Sequence, residues 1–146
     1  MNILDISLLG FCTLEILNII ILFFKPDFKY GNSLAVFKSF MDNKNNENLN
    51  LFHKYLTNWV ASCKVIFIVL IAVIVFYTND KVKIITLIAV IFSISLYYFS
   101  LFPILKKLAN KNELNDPKYP NKLTKLITLM IALLLCAILI YVINFM

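Results

Sequence analysis

Four long apolar stretches, separated by polar connections, make up most of the chain. They run from about Ile3 to Phe24, Asn58 to Tyr77, Val82 to Phe102 and Leu123 to Phe145. Each is close to the ~20 residues that an α-helix needs to cross the ~30 Å hydrocarbon layer of a bilayer. A segment that crosses this layer must be helical, because lipid tails offer the backbone no hydrogen-bond partner. The pattern predicts one all-α transmembrane domain over residues 1–146, with four spanning helices in an antiparallel bundle.

The connections between these stretches differ in character. The turn at residues 78–81 is so short that the second and third spans must be antiparallel neighbours. Pro103 closes the third span, and we expect a kink or a stop there because proline has no amide N–H to donate. We expect the asparagine-rich residues 42–50 to form a solvated linker and the proline-containing residues 110–121 to form an irregular loop.

The first connection also contains a short segment with a one-sided apolar pattern. On a helical wheel Leu34, Phe37, Phe40 and Met41 fall on one side, and Ser33 precedes them as a candidate N-cap. We predict a short amphipathic cytoplasmic helix that ends near Met41. It would lie either in the headgroup layer of the membrane or against the ends of the bundle, and the pattern favours neither placement.

The lysines are concentrated on one side of the predicted bundle. Only Lys81 and Lys83 lie in the turn on the other side, and neither terminus carries a lysine. By the positive-inside rule, both long connections are cytoplasmic and both termini lie outside. We therefore expect a multi-pass protein of the plasma membrane, specifically a bacterial cell membrane. The eleven lysines in or beside the long connections are Lys25, Lys29, Lys38, Lys44, Lys54, Lys106, Lys107, Lys111, Lys118, Lys122 and Lys125.

The composition supports a membrane location and limits the partners. Hydrophobic residues make up 61% of the chain and charged residues 15%, with a mean hydropathy of +0.84. A soluble domain of this size needs more charge to cover its surface. The net charge of +6 does not indicate a nucleic-acid partner, because all fourteen cations are lysines and none is an arginine. The expected partners are the lipid bilayer and either a second copy of the chain or another membrane protein.

No set of side chains typical of an enzyme occurs in the sequence. Cys12, Cys63 and Cys136 lie singly within apolar stretches, where a thiol behaves as a small hydrophobe. His53 is the only histidine and has no neighbouring metal ligand, and the two glycines form no phosphate-binding loop. We therefore expect no enzymatic activity, no catalytic residue, no metal and no cofactor.

Glu15 is the most informative residue of the spans. It lies roughly 14 Å along the first helix from Phe24, which is near the middle of a bilayer. A charged carboxylate facing lipid there costs about 2.5–3.5 kcal/mol, so this side chain must face the interior, be protonated or be paired. Cys12 and Asn18 fall in the same arc of the helix, as does Asp5. Glu15 and Asn18 are thus candidates for an intramembrane proton or ion site, or for a structural polar contact.

Lys64 is the second candidate, about 9 Å into the second span. It could pair with Glu15, because both lie in the cytoplasmic half of their helices. It could also extend along its helix and place its ammonium at the interface. The direction of side chains on a helix argues against pairing, since it points Glu15 outward and Lys64 inward. Both interpretations remain open.

A polar stripe follows one face of the third span. Thr86, Ser93, Tyr97 and Ser100 recur there at helical spacing. Small and hydroxyl residues at such spacing are typical of close helix–helix contacts in membranes. The alternative is a water-lined path along the span.

The position of Glu15 resembles that of the glutamate in the first helix of the small multidrug resistance transporters. In that family the matching glutamate is shared by substrate and protons. The resemblance covers little beyond this helix. The chain departs from the family in its long first connection and in having only two glycines. The resemblance implies a proton-coupled role for Glu15.

Two functions therefore follow from the sequence. The first is a non-enzymatic accessory or scaffold subunit that acts through helix–helix interaction. It fits the packing stripes, the amphipathic segment and the lack of a catalytic set. The alternative is a small proton- or cation-coupled transporter or channel that uses Glu15.

Overall fold

The computed structural model describes residues 1–25, 28, 34–42 and 45–145, and these residues form an all-helical structure. Four helical segments are long and apolar enough to cross a membrane, as the sequence predicted. Within the described ranges there is no β-strand, only an isolated bridge between Phe37 and Leu114. The helices are α1 (Ile3–Phe24), a 3-10 helix (Leu34–Val36), α2 (Lys38–Asp42), α3 (Glu47–Tyr77), α4 (Asp80–Phe99), α5 (Leu101–Asn110) and α6 (Tyr119–Phe145).

Asparagine side chains start three of the long helices. The side chains of Asn2, Asn46 and Asn79 accept hydrogen bonds from backbone amides in the first turns of α1, α3 and α4. Such caps satisfy donors that the helix itself leaves free. Because Asn46 caps α3, the linker predicted for residues 42–50 is wrong for Glu47–Asn50, which form the first turn of this helix, and for Asp42, which ends α2.

The third apolar stretch is interrupted before its proline. The backbone at Ser100 ends α4 and begins α5, and Pro103 lies in the first turn of α5. A proline ring collides with the carbonyl four residues earlier, which here belongs to Phe99. The expected effect of Pro103 is therefore seen three residues upstream. Pro120 has no such effect in α6, because a proline in the first helical turn removes an amide that has no helical partner.

Among the described residues, helices α1 and α3 form the most extensive contact between two helices. Leu4 and Leu8 of α1 lie in one buried cluster with Ile71 and Val75 of α3. A second cluster contains Ile19 and Leu22 of α1 and Ala61 of α3. Leu87 of α4 and Leu134 of α6 join the first cluster, so the core lies mainly where the N-terminal half of α1 meets the other long helices.

The two long connections contact each other at one end of the helices. The amide of Lys38 donates to the carbonyl of Glu113, and the amide of Asn115 donates to the carbonyl of Val36, both at 2.9 Å. The Asn115 side chain also donates to the carbonyl of Ala35 at 2.6 Å. The buried side chains at this contact are those of Ala35, Val36 and Leu114.

These contacts place the predicted amphipathic segment against protein. The segment is a 3-10 turn followed by α2 rather than one continuous helix, because Phe37 takes part in the bridge to Leu114. Met41, which the helical wheel put on the apolar side, is exposed. The predicted cap, Ser33, lies outside the described residues.

The side chain of Asn115 is expected to hold the two connections together. Asn115→Ala removes the donor to Ala35, whose carbonyl lies in a buried residue, at a cost of about 1–3 kcal/mol. We expect faster proteolysis and faster amide hydrogen exchange at residues 34–42 in the variant. Asn45→Ala is the matched control, because the exposed Asn45 has no described side-chain contact. Equal exchange in the two variants would contradict this role.

Candidate functional site

Glu15 and Lys64 form a direct ion pair between α1 and α3. The Lys64 Nζ atom donates a hydrogen bond of 2.6 Å to the Glu15 Oε2 atom. The side chains of Lys64 and Glu15 keep 26% and 22% of their exposure. The open choice between pairing and extension to the interface is thus decided for pairing. The flexible lysine stem overcomes the unfavourable direction of the two side chains.

The spacing of buried residues explains why these two side chains meet. The residues of α1 that face α3 are spaced by three or four positions, and so are their counterparts on α3. This is the spacing of two helices that pack along a shared seam. Glu15 and Lys64 occupy seam positions and separate the two apolar clusters. The seam residues are Leu4, Leu8, Cys12, Glu15, Ile19 and Leu22 on α1, and Thr57, Ala61, Lys64, Ile68, Ile71 and Val75 on α3.

The other predicted site residues are not brought to this pair. Asn18 is half-buried one turn along α1, and among the described residues its side chain makes no hydrogen bond. Thr86, Ser93 and Ser100 donate to carbonyls of their own helix, four residues earlier. Such bonds satisfy the hydroxyl within one helix. The hydrogen bonds of these three side chains therefore stay within α4.

Tyr97 is the one member of the predicted stripe that reaches another helix. Its side chain is buried, and its hydroxyl lies 3.1 Å from Thr124 Oγ1 of α6. The adjacent Tyr98 makes a similar contact of 2.7 Å with Thr128. Two hydroxyl pairs thus join α4 to α6. The predicted stripe therefore contacts another helix at Tyr97, and its other hydroxyl groups donate to carbonyls within their own helix.

A second charged cluster lies at the N-terminal ends of α1 and α4. Lys83 Nζ is 2.6 Å from Asp5 Oδ1 and 3.7 Å from Asp80 Oδ1. The side chains of Lys83 and Asp5 are each only 9% exposed. The contact between Lys83 and Asp5 Oδ1 is a short-range ion pair. In the described part of the chain, this oxygen accepts no hydrogen bond of standard geometry.

Hydrogen bonds extend this cluster to three helices. The Asn2 amide group donates to Asp80 at 2.8 Å, and the Tyr141 hydroxyl of α6 donates to Asp80 at 2.9 Å. Asp5 and Asn2 also bond each other reciprocally at the start of α1. Buried charges are tolerated only when they are paired in this way. The cluster therefore fixes α1, α4 and α6 relative to one another.

Sequence reasoning missed this cluster. It treated Lys83 as a charge of the turn and Asp5 as one member of an arc. The depth of the two charged residues along their helices could have revealed the pair. Asp5 is in the first turn of the first span and Lys83 is in the first turn of the third, and the predicted topology puts both ends on one side of the membrane. Opposite charges at the same level of neighbouring spans are expected to pair.

The chemistry of these sites is that of paired charges. Asp5, Glu15 and Asp80 each have an ammonium within 4 Å. In the described part of the chain, no group of three or more His, Cys, Asp or Glu side chains is placed to hold a metal ion. The arrangement can hold helices in register, and it can exchange charge only if a pair separates.

Comparison with known proteins adds no relative. No family model matches the chain, and neither a curated protein nor a solved structure shows significant similarity to it.

The Glu15–Lys64 pair is expected to show strong coupling in a double-mutant cycle. Lys64→Met strands the carboxylate and Glu15→Gln strands the ammonium, whereas the double variant strands neither. We expect each single change to destabilise the protein more than the double change, with a coupling of roughly 0.5–3 kcal/mol. Unfolding in detergent measures it. Additive single effects would contradict the pairing.

Asp116 and Lys122 provide the matched control pair. Their charged atoms are also 2.6 Å apart, but the side chains are 42% and 67% exposed. The hydrogen bonds that Asp116 accepts from the Lys122 ammonium and from the Lys118 amide keep the pKa of Asp116 below its ordinary value. Exposed pairs contribute little to stability. Asp116→Asn with Lys122→Met should therefore show weaker coupling than the pair between α1 and α3.

Lys83 is expected to matter more than its exposed neighbour Lys81. Lys83→Met leaves the carboxylate of Asp5 buried without a counter-charge, which costs about 3–5 kcal/mol. Lys81→Met removes the same charge from the same turn at an exposed position and should leave stability near that of the wild type. Thermal unfolding in detergent compares them. Equal midpoints would show that the buried pair does not stabilise the fold.

Proposed function

We propose that this chain is a multi-pass protein of the cell membrane. Four helices of spanning length support this proposal, as do the large apolar side chains on their outer surfaces. Phe67, Phe76, Phe92 and Leu133, for example, are each more than 60% exposed. Such a surface requires contact with lipid or with another apolar surface. The four helices are proposed to cross the bilayer as an antiparallel bundle.

The distribution of charge supports an orientation for this bundle. Lys38 and Lys54 lie at the end where the long connections meet, together with exposed lysines of α5 and α6. At the other end Lys83 is neutralised by Asp5 and Asp80, so the only uncompensated lysine there among the described residues is Lys81. The lysines are therefore concentrated at the end where the long connections meet. We propose that the long connections are cytoplasmic and both termini outside.

Within the membrane, the chain is proposed to act as a non-enzymatic accessory or scaffold subunit. The observation that carries this function is the partial exposure of the Glu15–Lys64 pair. The pair lies mid-span, and the roughly one quarter of each side chain that α1 and α3 leave uncovered would face hydrocarbon in an isolated copy. Charged groups in that position are costly. A helix of another subunit, packed over the pair, would remove this cost.

The alternative is a proton- or cation-coupled transporter or channel that uses Glu15. The half-buried Asn18 one turn away favours it, because an amide without a bond is available to a solute or to water. Lys64 argues against it. Its ammonium already compensates the carboxylate, so a bound cation would first have to displace it.

The orientation is tested by labelling single cysteines in intact cells. In a background with Ala at the three native cysteines, Asn46→Cys and Asn110→Cys should react with an impermeant maleimide only after lysis. Lys81→Cys should react in intact cells, and it removes a cation from the outer side, so it cannot reverse the topology. All three positions are exposed. Labelling of position 46 or 110 from outside would contradict the proposed topology.

The accessory function is tested by photo-cross-linking from the membrane-facing side of the pair. A photoreactive residue at position 18, beside the pair, should give a product with one defined protein, either a second copy or another membrane protein. The same residue at position 85, where Ile85 of α4 is exposed, is the control and should give lipid adducts. Lipid adducts alone from position 18 would contradict the proposal. Proton or cation flux in liposomes that Glu15→Gln abolishes would establish the transporter instead.

A further inference from the structure

The N-terminal turns of α3 line a cleft at one end of the helix seam, and the seam residues Leu22 and Thr57 form part of its lining. Its volume is about 310 Å³, and it lies where the end of α1, the 3-10 turn, α2 and the start of α3 meet. One wall is aromatic and contains Phe23, Phe24 and Phe40. The other wall is a face of α3 with polar side chains at one-turn spacing, among them Asn50 and Lys54. An apolar wall opposite a polar wall is typical of a site for an amphipathic ligand.

The polar wall offers hydrogen-bond donors that no described residue uses. The side chains of Asn50, Lys54 and Asn58 make no hydrogen bond within the described chain. The ring of His53 contacts Phe40 edge to face, with centroids 5.2 Å apart, which orients it at the cleft. Thr57 is not available, because its hydroxyl donates to backbone carbonyls of the preceding turn. Amide, ammonium and imidazole donors together suit a phosphate group.

The length of α3 places this wall at the surface of a membrane. The helix has 31 residues and is therefore roughly 46 Å long, whereas the hydrocarbon layer is ~30 Å thick. The apolar part of α3 starts near Asn58, so the turns from Asn50 to Lys54 extend into the headgroup layer. Phe23 and Phe24 end the apolar α1 at the level where the apolar part of α3 begins. The donors thus lie at headgroup depth and the aromatic wall at the depth of the upper acyl chain.

From this arrangement we propose that the cleft binds an anionic phospholipid of the cytoplasmic leaflet. The phosphate is held by Lys54, Asn50 and Asn58, and the upper acyl chain lies along Phe23 and Phe24. The charge of this end of the protein favours an anionic headgroup, because lysines outnumber acids there and the cytoplasmic leaflet carries the anionic lipids. The inference rests on the proposed membrane location and orientation, and it adds a ligand to them.

Binding is measured on the full chain in detergent, by thermal shift and native mass spectrometry. The probes are short-chain phosphatidylglycerol, phosphatidylcholine of the same chain length, and inorganic phosphate. We expect saturable stabilisation by phosphatidylglycerol at concentrations where the other two have no effect. Equal effects of both phospholipids would overturn the assignment of an anionic headgroup. Equal effects of phosphate and phosphatidylglycerol would show that the cleft is a general anion site and would overturn the proposal of a lipid ligand.

Two variants and a control locate the site. Lys54→Gln should weaken phosphatidylglycerol binding by roughly fivefold, the value of one lysine near an anionic membrane surface. Lys107→Gln removes an equally exposed lysine at the same end, outside the cleft, and should leave binding unchanged. Phe23→Ser tests the aromatic wall and should also weaken binding. Equal losses for Lys54→Gln and Lys107→Gln would mean that general charge, and not the cleft, attracts the lipid.

The lipid experiment is independent of the topology experiment. It uses purified protein, so its failure leaves the membrane location and orientation standing. If cysteine labelling reversed the orientation while phosphatidylglycerol still bound, the cleft would face the outer leaflet and the assignment to the cytoplasmic leaflet would be wrong.

Discussion

The ion pair between Glu15 and Lys64 fixes the register of α1 against α3. Apolar side chains alone would let α1 slide along α3, because one turn of Leu and Ile resembles the next. A charged pair within the seam permits one register, since a shift of one turn would leave both charges facing apolar groups. The two apolar clusters lie on either side of the pair. The register of this seam also sets the level of α1 relative to the other helices.

Polar contacts occur at three levels along the bundle and join different helices at each. At the N-terminal end of α1, Asp5, Lys83 and Tyr141 connect α1 with α4 and α6. Half-way along, the pair joins α1 to α3. At the other end Tyr97 and Tyr98 join α4 to α6. In a membrane, apolar surface gives helices little reason to prefer each other over lipid, so such polar contacts and close packing decide which helices meet.

The fold could be predicted from the sequence because its signal is long and repeated. A stretch of about 20 apolar residues has few alternatives, and the four stretches appear as four helices. The helix ends were less predictable. Asn46 looks like part of a polar linker, yet its side chain caps a helix that starts well before the apolar stretch. Whether an asparagine caps a helix or lies in a linker depends on the backbone around it, which composition does not describe.

Only part of the candidate site could be predicted, from the depth of charged residues within the apolar spans. Glu15 and Lys64 stand out because each is a charge within an apolar span, but whether a long lysine side chain turns toward the acid depends on how the two helices pack. Hydroxyl residues were harder. Ser93 and Tyr97 share one periodicity, and only the structure distinguishes a hydroxyl that returns to its own carbonyl from one that reaches the next helix. Asp5 and Lys83 lie so close to helix ends that they resemble ordinary interfacial charges.

The position of both ion pairs in the chain has a consequence for biosynthesis. The first helix leaves the ribosome with Asp5 and Glu15 in place, while the partner of Glu15 lies 49 residues further on and that of Asp5 later still. In the proposed membrane topology, α1 would carry two carboxylates without counter-charges during this interval and would be a poor substrate for release into lipid. It would stay beside the insertion machinery until α3 supplied the first ammonium, and it would be held at both levels only once α4 had entered. In that topology, the order of synthesis would make insertion of the first span depend on the second and third.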